Sequence, residues 1–185
     1  PAGETIALLG RVGSGKSTVL KAAVRLVDTP RGTVFIDGHD ICDYPVRELR
    51  RIATLVPQDP FLFSTTLREN LTYDEPGREE ALLWDAADAA GLSDAIADFH
   101  DGLETMVGER GQTLSGGQKQ RATLARGLVR DAPILLLDDC FSSVVGEAFL
   151  ARPATVERRP CGIAMRSEVG PSSRACGRPR DSGSP

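Results

Sequence analysis

The residues best suited to chemistry are Gly10-Arg11-Val12-Gly13-Ser14-Gly15-Lys16-Ser17, followed by Thr18. They satisfy the pattern G-x-x-x-x-G-K-[ST] of a phosphate-binding P-loop, directly after the apolar run Thr5-Ile6-Ala7-Leu8-Leu9. Glycines at 10, 13 and 15 let the chain curl round an anion with successive backbone N–H groups turned inward. A helix opening after the loop adds the positive end of its dipole. Lys16 is spaced to reach the β- and γ-phosphates of a nucleotide, and the Ser17 hydroxyl to ligate Mg2+. Far downstream, Ile134-Leu135-Leu136-Leu137 ends in the pair Asp138-Asp139. Asp138, closing an apolar strand, is placed to hold Mg2+ beside the Ser17 hydroxyl. Together these residues imply a nucleoside triphosphatase.

Such groups need rigid elements to position them, and the periodicity predicts an α/β scaffold. Residues 5–9 read as the P-loop strand and 16 to about 27 as its helix, with Val19, Leu20, Ala23, Val24 and Val27 on one apolar face. Residues 33–37 alternate as a half-buried strand, Gly38-His39-Asp40 as a turn, 46–51 as a short helix and 52–56 as a buried strand. Pro57-Gln58-Asp59-Pro60 stops that strand, so Gln58 lies at a carboxyl end, where open α/β sheets bind ligands. From Phe61 to about Arg130 the chain reads as helices, at 65–71, 78–90 and 93–99. The second of these is expected to bury Leu82, Leu83, Ala86 and Ala90. Leu114-Ser115-Gly116-Gly117-Gln118 opens a further helix, over 118–129. The continuous run at 134–137 suits a strand buried on both faces of a parallel sheet. After about Val144 the pattern fails. Residues 146–185 hold five Pro and five Gly and show no strand or helix period, so an irregular or disordered tail is expected.

With 41% hydrophobic and 26% charged residues among 185, the chain reads as soluble and globular. No apolar run approaches the ~18–20 residues of a membrane span. The start at Pro1, just ahead of the P-loop strand, implies a piece cut from something longer. The formal charge of −4 divides unevenly, because 146–185 carries seven Arg against four acids (+3), which leaves −7 for 1–145. An acidic body argues against nucleic acid as a partner. Cys42, Cys140, Cys161 and Cys176 show no metal-ligand or C-x-x-C spacing and read as reduced thiols.

The order of the P-loop, Val56-Pro57-Gln58, Leu114-Ser115-Gly116-Gly117-Gln118 and Leu135-Leu136-Leu137-Asp138 resembles the nucleotide-binding domain of ABC transporters, over residues 3–144. The most specific part is Leu114–Gln118 followed by Lys119-Gln120-Arg121, which is similar to the family signature. The resemblance implies a P-loop NTPase-type, mainly parallel sheet with flanking helices and an inserted α-helical signature subdomain at about 61–130, inside a partial domain at 1–145. It also implies ATP and Mg2+ as ligands, and a head-to-tail pair of domains. Leu114, Ser115, Gly116, Gly117 and Gln118 of one domain would then act on the γ-phosphate bound by the P-loop of the other. Gln58, in this resemblance, touches Mg2+ and the attacking water, and joins Lys16 and Asp139 in catalysis. Thr105-Met106-Val107-Gly108-Glu109-Arg110-Gly111, Asp59-Pro60-Phe61-Leu62-Phe63 and Thr66-Leu67-Arg68-Glu69-Asn70-Leu71 look like exporter segments. The resemblance therefore implies transmembrane domains contacted near 105–111, a position on the cytoplasmic face of the cell membrane, and ATP hydrolysis that powers transport.

Three departures qualify that expectation. Asp139 stands where the family has a catalytic Glu. One methylene fewer sets the carboxylate back by roughly 1–1.5 Å, an error that costs on the order of 10²-fold in rate. The change resembles the slow half of heterodimeric exporters, which favours a different second domain as partner. The alternative it opens is a half that binds ATP for assembly or regulation with little turnover. Val145 falls where the family has an Asp, and both histidines, His39 and His100, lie upstream of it. A shift of reading frame near 144–145 is the expected cause, leaving 146–185 non-homologous. Finally, the aromatic residue that stacks on adenine in the family lies ahead of the P-loop, upstream of this chain.

Overall fold

The computed structural model describes residues 4–108, 114–140 and 163–165. Two parallel strands form the centre of the fold, β3 (Ala53–Val56) and β4 (Ile134–Leu137), paired from Ala53↔Ile134 to Val56↔Leu137. Apart from Thr54 their side chains are aliphatic, the composition that suits a covered strand. Beside them runs a three-stranded antiparallel sheet in the order β2 (His39–Asp40), β1 (Val34–Ile36), β5 (Ile163–Met165). Helix α1 (Lys16–Ala23) follows the P-loop and α2 (Val46–Ile52) precedes β3. The inserted helical part comprises α3 (Leu67–Leu71), α4 (Glu80–Ala89), α5 (Ser93–Ala97) and α6 (Gly116–Leu128).

The larger core belongs to those helices. Leu67, Leu71, Leu83, Leu92, Ile96, Val107 and Leu124 are sealed from solvent, and Val56 of β3 joins the same cluster. A smaller cluster of Val34, Ile36, Ile41 and Leu49 lies under the antiparallel sheet.

Several expectations change on contact with the structure. Residues 5–9 form no strand, and Leu9 is 93% exposed. A strand exists only as part of a ladder, and among the described residues no ladder reaches this segment. For the same reason β4 is half-buried along its length instead of covered on both faces, since β3 is its one partner among the described residues. Helix α1 stops at Ala23, where Arg25 turns left-handed (φ 51°) and donates from Nη1 to Tyr44 O at 2.9 Å. Leu82 is 47% exposed, and Ala87 takes the buried place on α4.

The turn before β2 is Asp37-Gly38, with φ of 50° and 81°, the all-positive geometry of a tight hairpin. His39 and Asp40 consequently pair as a strand with Ile36 and Phe35. The tail, expected to lack regular structure, supplies β5. Cys42 is disulfide-bonded and not a thiol, whereas Cys140 is free and buried.

The contact that fixes α6 on the central strands is at Gly127, where an added Cβ would lie 2.4 Å from Val56 Cγ2. Alanine at that position gains ~1 kcal/mol of helix propensity, but overpacking a sealed contact costs about 1–3 kcal/mol. Gly127→Ala is expected to lower the urea midpoint of unfolding at an unchanged m-value, a net loss of up to about 2 kcal/mol.

Candidate nucleotide site

The P-loop is shaped by two left-handed glycines, Gly13 (φ 82°) and Gly15 (φ 90°). Gly15 caps α1 without a side chain, so no side chain competes for the N–H groups of the first turn. At Gly10 a Cβ would meet Ser14 Oγ at 2.7 Å, a contact that rotation of the exposed Ser14 side chain can relieve. Inside the curl, Lys16 Nζ donates to Gly10 O at 2.8 Å and Arg11 O at 2.9 Å. The ammonium thus spans the loop mouth, on its own backbone carbonyls. Arg11, Val12, Ser14 and Thr18 are exposed around it.

Ser17, one residue into the helix, donates from Oγ to Asp138 Oδ1 at 2.8 Å, across 121 residues of sequence. Asp138 is 6% exposed, and its N–H donates to Val56 O at 3.0 Å, one step past the β3–β4 ladder. Gln58 leaves β3 just after Val56 and is exposed. Asp139 is exposed as well, in a left-handed conformation (φ 49°) that Asp tolerates better than most side chains. The structure therefore joins Ser17 to Asp138 and sets Gln58 and Asp139 on the neighbouring strand ends. The donors that meet are a hydroxyl and a carboxylate, the hard oxygens Mg2+ takes together with phosphate and water. On donor chemistry the pair fits that ion.

The Leu114–Gln118 segment is the N-terminus of α6. Ser115 Oγ accepts from Gln118 N at 3.2 Å while Ser115 N donates to Gln118 Oε1 at 2.9 Å, a reciprocal capping box. Gly116 and Gly117 begin the helix itself, two residues earlier than the periodicity suggests, and Leu114 is buried in the helical core. Gln118 thus stabilises the turn from within, and Gly116 has open space beside its Cα.

Residues 105–107 are stitched to the start of α3. Leu67 N donates to Thr105 O at 3.0 Å and Val107 N to Thr65 O at 2.9 Å. Buried Asn70 ties down the preceding loop, accepting from Phe63 N at 2.8 Å and donating to Phe63 O and Thr66 O at 3.0 Å each. Residues 109–111 lie outside the described residues. Nearby Phe61, Phe63, Tyr73 and Met106 are large, apolar and exposed. Arg126 donates to Phe61 O and lies 5.9 Å and 5.7 Å from the Phe63 and Tyr73 ring centres. Burial sets its pKa below the ordinary arginine value. The periodicity hid this cluster, because its members are dispersed over the 61–63 loop, the turn at Tyr73, residue 106 and helix α6.

The sequence profile of the ABC transporter family matches residues 1–142. The chain belongs to that family. Among similar proteins are an ATP-dependent lipid A-core flippase of Vibrio cholerae, 42% identical over 160 residues, and a putative multidrug export ATP-binding/permease protein, YgaD, of Bacillus subtilis, 46% identical over 142. These matches take in 85% and 77% of this chain but 27% and 24% of the relatives, so the chain spans about a quarter of their length. Among solved structures, a bacterial Atm1-family ABC exporter with ATP bound is 40% identical with a TM-score of 0.68, over 75% of this chain and 24% of that one. The fold is accordingly the α/β P-loop NTPase fold of ABC transporters. No helix among the described residues is long and apolar enough to cross a membrane.

In this ABC transporter domain the residue after the two carboxylates is Cys140. Burial pushes its thiol up to about 11 from an ordinary 9.0. The folded protein therefore holds it protonated while the unfolded chain ionises it, so stability falls as pH rises above about 9. Iodoacetamide at pH 8 is expected to leave Cys140 unlabelled in the folded protein and to label it fully in urea, as read by peptide mass.

Proposed function

We propose that the chain binds ATP with Mg2+ and hydrolyses it as half of a head-to-tail dimer, powering export of a substrate selected by transmembrane domains outside this chain. The observation that carries the reading is the 2.8 Å bond from Ser17 to Asp138, which joins the P-loop helix to a strand-end carboxylate. Lys16 exchanges a loop carbonyl for the β- and γ-phosphates, while N–H groups of residues 13–18 and the first turn of α1 surround them. Ser17 and Asp138 would hold Mg2+, with Gln58 at the neighbouring strand end, and the ion would supply positive charge against that developing on the phosphates.

Asp139 accepts the proton of the attacking water, and Gln58 orients that water. Ser115, Gly116 and Gly117 present helix N–H groups to the γ-phosphate held by the opposite domain; Leu114 and Gln118 keep that helix end in place. ATP thus serves as the contact between the two domains, and its cleavage frees them. In this reading the chain lies on the cytoplasmic face of the membrane and transmembrane domains seat near 105–111, a seat supported by the exposed Phe61, Phe63, Tyr73 and Met106. The kinds of cargo named for the relatives, lipid A-core and multiple drugs, differ and leave the cargo class of this chain unassigned.

A second reading is favoured by Asp139. The short carboxylate makes this a slow site, paired with a different, faster domain whose P-loop faces the intact signature of this chain. In the assembled transporter, Asp139→Glu is expected to raise single-turnover ATP hydrolysis at this site by about 10²-fold. An unchanged rate shows that side-chain reach is not the limit. Asp138→Asn should abolish Mg2+-dependent ATP binding with the circular dichroism spectrum intact. Full binding by that variant overturns the site.

A further inference from the structure

We infer that the strand Ile163–Met165 is a strap that holds the β1–β2 hairpin and, through it, the far end of the P-loop helix. The inference does not depend on whether the chain hydrolyses ATP. Its first support is the pairing itself: β5 lies antiparallel to β1 with Val34↔Met165, Phe35↔Ala164 and Ile36↔Ile163 in register. β1 is thereby the middle strand of three, flanked by β2 on its other edge. A two-stranded hairpin alone is marginal in water, and here β2 contributes only two residues, so the third strand decides whether the sheet persists.

The second support is packing. Ile163 lies against the cluster of Val34, Ile36, Ile41 and Leu49, an aliphatic floor that an unpaired β1 edge would leave open to water. The third is a chain of bonds from sheet to P-loop helix. Tyr44 OH donates to Ile36 O of β1 at 3.3 Å, and Tyr44 O accepts from Arg25 Nη1 at 2.9 Å. Arg50 closes the circuit, donating to Val24 O at 3.4 Å and Arg25 O at 3.3 Å. Residues 24 and 25 are where α1 ends. The sheet that β5 completes is therefore the abutment of the P-loop helix.

Hydrogen exchange on the full chain tests the strap through the variant Ile163→Asp, which puts a charge onto the aliphatic cluster. Exchange of the amides of Val34–Ile36 and of residues 24–26 is expected to quicken by about tenfold or more, with α4 and α6 unchanged. Unaltered protection of β1 overturns the inference, and so does a loss that spreads equally to α4 and α6. A chain ended at Pro160 should show the same local loss, and a synthetic peptide spanning 160–168 should restore it. Should removal of the tail unfold the truncated chain, the point variant alone decides. Light scattering adds one further arm, since protection that disappears on dilution from a dimer means the strand comes from a second copy, against a strap in cis.

Discussion

The hydrogen bond from Ser17 to Asp138 is the constraint that the rest of the architecture must satisfy. It closes a loop of 121 residues and places a nearly buried carboxylate against the first turn of the P-loop helix. A charged group so covered needs its partner, because leaving it unpaired costs more than the bond itself contributes, about 1.5–3 kcal/mol. Asp138 cannot find Ser17 on its own. Its backbone N–H is fixed by Val56 O, Val56 is fixed by the parallel ladder to β4, and β3 is pressed onto α6 at Gly127. The order of dependence runs from the helical core to the strands and only then to the phosphate loop.

That order divides the chain into a firm side and a soft one. The helices α3 to α6 share one sealed cluster, stitched by Asn70 and by the 65–67 to 105–107 bonds. On the other side, Ile6, Leu8, Leu9 and Val12 face solvent around the P-loop. Local stability follows buried contacts, so the P-loop belongs to the softer end. A ligand that orders such a loop adds its binding energy directly to the stability of the folded state.

Much of this was legible in the sequence, and the illegible remainder has a common cause. The P-loop, Asp138, the helical insertion and the strands at 53–56 and 134–137 all rest on local chemistry or a clear period, and they stand where the residues implied; that the two strands pair with each other is added by the structure. What failed required a neighbour. Residues 5–9 have the composition of a strand but no ladder among the described residues, and Arg25 ends α1 early because Tyr44 O draws its guanidinium. Ile163–Met165 carries too weak a signal in three residues to be read as a strand, and only the open edge of β1 makes it one. The missed hairpin at Asp37-Gly38 is different, since Asp-Gly between apolar runs is a local signal that was there to be used.

The two adjacent aspartates show how position assigns chemistry to identical side chains. Asp138 closes β4, is withdrawn from water and is already engaged by Ser17, so its oxygens suit a fixed ligand such as a metal ion. Asp139, one residue on, leaves the strand through a left-handed turn into solvent. A carboxylate that must accept a proton from water needs that access, whereas one that anchors a helix needs its denial. Strand alternation alone would send the two to opposite faces; the turn at Asp139 adds exposure to one and leaves burial to the other. Reach is the single variable that the turn does not supply. An Asp extends one methylene less than a Glu from the same backbone, so the reach of Asp139, and not its access to water, is what the change Asp139→Glu alters.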